Sequence, residues 1–156
     1  MKQFYDEYLA KAIICYFLDD NFPAETEYKF IMQVDFIDFL RMNIDENDIV
    51  RLFRIIKNRD GHIAALGVDL LKKYSKENDD VINFLKEIWD SSDNYLKCHL
   101  FWRILDDPTL SEDWHKKLYS FALNNWEIFK EVQKIFWGSS SRIIPSVQKN
   151  YLLMNT

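Results

Sequence analysis

Glycine and proline are nearly missing from this chain, and that limits the folds open to it more than any other feature. Three Gly and three Pro stand among 156 residues, where average usage would supply roughly nineteen of the two together. Sheet folds and dinucleotide-binding α/β folds need many tight, glycine-bearing turns, so both are excluded. The chain also carries 5 Trp, 8 Tyr and 12 Phe, far more aromatic surface than disordered segments hold. What remains is a helical globule with few connections and a bulky core, of a size that suits one domain.

Apolar residues recur with helical period almost throughout. Segment 2–19 sets Phe4, Tyr8, Ala12 and Cys15 on one stripe, and segment 24–41 carries Phe30, Val34 and Ile37. Asp45 opens a third helix with Ile49, Leu52, Phe53 and Ile56 inward, and Asp60-Gly61 caps a fourth with Ile63, Leu66, Leu70 and Tyr74 inward. Helices follow at 79–90, 94–105, 112–124 and 126–137. The sixth, 94–105, is apolar nearly all round and is therefore expected at the centre. Before the seventh, Thr109 with Glu112 forms one possible capping box and Ser111 is a rival cap. Residues 1–137 thus read as a single all-α domain of about eight helices. Residues 138–156 read as a Ser-rich linker and a tail, with one short helix near Val147–Leu153.

Positions 34 apart are related. Phe30, Ala64, Cys98 and Val132 align, and so do Val34, Val68, Trp102 and Phe136. Such a period marks stacked helical hairpins. Over Asp60-Gly61-His62-Ile63-Ala64-Ala65-Leu66-Gly67-Val68-Asp69-Leu70-Leu71 the chain resembles α-solenoids of the HEAT type, its small residues suited to close helix approach. An opening proline and a regular Asp/Arg ladder are not found, and an orthogonal helical bundle would show the same periodicity. The resemblance implies antiparallel hairpins in a right-handed superhelix, with the second helix of each hairpin lining a concave face. Arg51, Arg54, Lys86, Asp90, His115 and Tyr119 are the candidate contact residues.

Charge narrows the partners. The formal net charge is −5, which disfavours nucleic acid and anionic membranes. Residues 1–50 are strongly acidic (four basic against eleven acidic), whereas 51–76 form a basic band (seven against two). That band reads either as a patch for phosphates or an acidic partner, or as cations gathered at helix C-termini by the macrodipole. Two cysteines make no disulfide framework, the N-terminus has no positive signal-peptide region, and the longest apolar run, Ala12–Leu18, is too short for a bilayer. The sequence therefore predicts a cytoplasmic protein that does not enter membranes.

Catalytic constellations are weak. Glu112 and His115 are half of a di-metal motif whose other half is missing, so no metal is expected. Cys98 and His99 are adjacent on a helix and point about 100° apart, which makes Cys98 a core residue. The carboxylate pairs Asp19-Asp20 and Asp106-Asp107 fall at helix ends, where hydration is the expected fate. No phosphate-cradling loop or nucleophile elbow occurs. Trp89, Trp114, Trp126 and Trp137 lie near helix ends, and an exposed aromatic cluster is expected among such residues. The sequence thus points to a non-catalytic module, needing no small-molecule cofactor, that binds another protein. An acidic inhibitor of a basic enzyme, of the immunity-protein kind, is one form of this reading. A nucleic-acid-associated helical-repeat protein using the 51–76 band is the alternative.

Overall fold

Helices begin where the sequence supplies an acceptor for their first amides. In the computed structural model, residues 7–17, 40–59 and 61–137 are described, with single positions 149 and 153. Most of the expected 24–41 helix, Asp19-Asp20, the Asp60 cap, the Ser-rich linker and most of the tail lie outside these residues. Helix α1 (Glu7–Phe17) is followed by a helical turn at 40–43 and by α2 (Glu46–Asn58). At the start of α2 the Asp45 carboxylate accepts from the Asn47 amide, and the Asp48 carboxylate accepts from that of Asp45. Next comes α3 (Gly61–Leu70), entered through Gly61 at φ +56 and tightening into a 3-10 turn at Leu71–Lys73.

Asn78 caps α4 (Asp79–Glu87), and Asp93 caps α5 (Asn94–Leu105). Ser111, rather than Thr109, caps α6 (Glu112–Asn124) by accepting from the Trp114 amide. Thr109 instead gives its amide and hydroxyl to Asp107. The last helix, α7, spans Trp126–Trp137. The described residues are all-α, with no strand among them.

Contacts between hairpins set the architecture. Lys11 Nζ on α1 reaches Asp45 Oδ2 beside α2 at 2.7 Å. Phe53 of α2 stacks on Phe84 of α4, ring centroids 4.0 Å apart, and Lys57 faces Glu87 at 3.7 Å. On α4 and α6, Lys86 lies over the Trp114 ring and Asp90 meets Lys117 at 3.0 Å. In the last two cases both partners advance together along the chain, so α2, α4 and α6 form one layer of parallel helices, with α1 joined to the start of α2 through Lys11. The same rule orders α3, α5 and α7. His62 Nδ1 meets Tyr95 Oη at 2.6 Å, His99 Nδ1 meets Asp69 Oδ2 at 3.0 Å, and Phe101 packs on Phe129. Short turns join the layers and reverse direction between them, giving antiparallel hairpins laid side by side.

The second layer is the core. Ala64, Cys98 and Val132, the related positions of the 34-residue spacing, are buried on α3, α5 and α7. Beyond His62, every residue of α3 is buried. Helix α3 therefore does not line an open concave face, contrary to the expectation drawn from the HEAT resemblance. Eight of the ten residues in α3 are hydrophobic or small, and the helix can lower its free energy only by covering all its sides. As expected, α5 is central, touching α3, α4, α6 and α7.

Small residues do permit close approach. A Cβ placed on Gly67 would lie 2.9 Å from Cγ1 of Ile56 on α2. Replacing a helix glycine by alanine ordinarily gains about 1 kcal/mol, but here the added methyl must displace a branched core side chain. Gly67→Ala is expected to lower the unfolding free energy by about 1–2 kcal/mol net, since overpacking outweighs propensity. Urea denaturation checks this, and a stabilised variant would show that α2 and α3 are less tightly packed.

Candidate functional site

With α3 buried and α5 largely so, many of the exposed side chains lie on the first layer. The candidate residues are divided there. Arg51 and Arg54 are exposed on α2, opposite buried Leu52, Ile55 and Ile56. Lys86 is half-buried, donating to Asp107 Oδ2 at 2.9 Å. Asp90 is exposed beside Lys117, and His115 stacks on Tyr119, whose ring is buried against Phe101. Tyr119 thus belongs to the core, while Lys86 and Asp90 already engage partners within the fold.

The basic band spreads along α2 and its two ends. Lys57 faces Glu87 at the C-terminal end of α2. Lys73 reaches the Ile44 carbonyl, just before the N-terminal end of that helix. Thirteen residues of helix, about 20 Å at 1.5 Å per residue, lie between these ends. Arg51 and Arg54 are exposed along α2 between these ends.

Large exposed apolar side chains are found on α1, in the 40–43 turn and on α2, with Leu153 a further one in the tail. Tyr8 on α1 is 87% exposed, Met42 in the 40–43 turn 79%, and Val50 on α2 73%. Ala12 and Cys15 are also exposed, one and two turns beyond Tyr8, so α1 shows solvent an apolar stripe. Along the same layer, α4 and α6 show charged residues instead, with Asp80, Glu87, Glu112 and Lys116 among them. Of the tryptophans singled out in the sequence, Trp89 is buried against Phe121. Trp114 and Trp126 are half-buried, and the side chain of Trp137 lies outside the described residues. Exposed aromatic surface is thus found on Tyr8 and Tyr16 rather than on these tryptophans. Tryptophan buries more area than any other side chain and finds its way under neighbouring helices even near helix ends.

Ionisable groups inside the fold brace one hairpin against the next. Asp69, His99 and Arg103 are buried between α3 and α5. His99 pairs with Asp69, the Arg41 Nε donates to the Asp69 backbone carbonyl, and Arg103 Nε lies 3.5 Å from Asp106 Oδ2. Burial lowers the Arg103 pKa, and nearby Arg41 adds to this, against the pull of Asp69 and Asp106. Asp106 and Asp107, expected to be hydrated, instead join elements. Asp106 accepts from Ser75 Oγ at 2.9 Å, while Asp107 holds Lys86. The neighbouring hairpin's turn covers the end of α5, and the sequence gives no local sign of that cover.

Glu112 pairs with Lys116, and no group of three or more metal-ligating side chains occurs among the described residues. Cys98 donates to the Asn94 carbonyl while His99 points to Asp69. Burial, with Asp93 nearby, pushes the Cys98 thiol up to about 12. A raised thiol pKa leaves little reactive thiolate at pH 8, whereas Cys15 is exposed. Maleimide at pH 8 is therefore expected to modify Cys15 alone in the folded protein and both thiols after denaturation. Rapid labelling of Cys98 in the native state would contradict the packing of α5.

No helix among the described residues is long and apolar enough to cross a membrane. In comparisons with known proteins, no family model, curated protein or solved structure matches the chain.

Proposed function

We propose that this chain is a non-catalytic protein-binding module that works through the exposed side of α1 and α2. The observation that carries this reading is the exposure of apolar side chains on α1, the 40–43 turn and α2 (Tyr8, Ala12, Cys15, Met42 and Val50), with exposed Arg51 and Arg54 on α2. An apolar patch with a charged border is the usual composition of a protein interface. The hairpin arrangement supports a HEAT-like reading. Cross-hairpin hydrogen bonds join residues 30 to 34 positions apart, as Lys11–Asp45, His62–Tyr95 and Asp69–His99 do. Burial of α3 and of much of α5 supports a binding surface on the first-helix layer. The formal net charge of −5 weighs against nucleic acid.

The test is capture on the tagged full chain, after nuclease treatment and at moderate salt, comparing wild type with a Val50→Asp, Arg51→Glu variant. A protein retained by wild type and lost by the variant is expected. Equal retention by both, or bound material that disappears with nuclease, would overturn the reading.

A further inference from the structure

We infer that the occupant of the exposed α1–α2 face is a second copy of this chain, bound about a two-fold axis near Val50. This inference deepens the protein-binding reading and rests on it. Its warrant is the self-complementary order of charges on α2. Glu46, Val50 and Arg54 are exposed and spaced four residues apart, so they lie along one side of the helix. When two α2 helices meet antiparallel across a two-fold axis at Val50, Glu46 of each copy falls opposite Arg54 of the other. The valines meet at the axis. A two-fold interface requires a surface patch that complements itself, and this order of acid, apolar residue and base supplies one.

Helix α1 lies beside the start of α2, where Lys11 reaches both Asp45 and Asp48. On α4 and α6 the layer becomes charged, so the apolar contact ends after the first two helices of the layer. A different protein could occupy the face, but the acid-to-base order about one valine matches a second copy with no further assumption.

The experiment is light scattering with sedimentation velocity on the full chain, up to its solubility limit, for wild type and three variants. Wild type is expected to be a dimer. Glu46→Arg and Arg54→Glu each place like charges opposite one another twice and are expected to weaken dimerisation about tenfold or more. The double variant Glu46→Arg, Arg54→Glu restores opposite charges across the two-fold and is expected to recover most of the wild-type affinity. All three changes are at exposed positions, and circular dichroism confirms that each variant folds. A monomeric wild type, or a double variant weaker than both single ones, would overturn the inference. Should the wild type be monomeric while the capture experiment retains a different protein sensitive to Val50 and Arg51, self-association fails and the protein-binding reading stands.

Discussion

Asp69→Ala is expected to cost about 3–5 kcal/mol, because it leaves the buried Arg103 without one of its two carboxylates. Asp69 is 2% exposed, carries the hydrogen bond from His99 and faces Arg103 across the α3–α5 contact. With the carboxylate gone, Arg103 and nearby Arg41 repel each other in a site water does not reach. Asp69 Oδ1 and Arg103 Nε and Nη1 have no hydrogen-bond partner among the described residues, so the array is incompletely satisfied even in the native chain. For that reason a double change, Asp69→Leu with Arg103→Met, is expected to be less damaging than the two single changes added together. Thermal and urea unfolding measure both effects, with exposed Asp90→Ala as a control expected within about 0.5 kcal/mol of wild type. A near-neutral Asp69→Ala would mean that the charges between α3 and α5 reach solvent.

Phe101→Ala is expected to lose about 3–5 kcal/mol, the usual cost of emptying a large aromatic site. The Phe101 ring is fully buried on α5, edge-on to Tyr119 of α6 at 5.9 Å and to Phe129 of α7 at 5.0 Å. It therefore ties the last hairpin to the one before it. Near-ultraviolet circular dichroism should lose intensity with the stability, because neighbouring Trp102, stacked on Phe129, loses its fixed surroundings. A loss under about 1 kcal/mol would show that the cavity collapses and that α6 and α7 are held mainly by other contacts.

The helices and their order were legible because short polar loops interrupt long apolar periods, and each interruption carries Asp, Asn or Ser where a cap is needed. Ala64, Cys98 and Val132 showed the hairpin period because a position facing the same neighbours in each unit must stay small or apolar. The surface was much less legible. Periodicity shows that α1 has apolar sides but not which of them a neighbour covers. Tyr8, Ala12 and Cys15 form one regular stripe whether it faces a core or solvent. Asp69 gave a signal that went unused, since one acid among eight buried positions of α3 must itself be buried and paired. Asp106 and Asp107 were misjudged for the opposite reason. A helix end is hydrated only if no other element lies over it, and the cover comes from Ser75 and Lys86, more than 20 residues earlier.

The exposed side of α1 and α2 as the binding surface is tested most directly by protection of Cys15. This thiol is exposed on the stripe, and Cys98 is buried. When the occupant of the face is bound, whether a second copy or another protein, modification of Cys15 by maleimide is expected to slow. That protection should disappear in Val50→Asp. An unchanged rate of Cys15 modification on binding, or protection indifferent to Val50→Asp, would contradict the account.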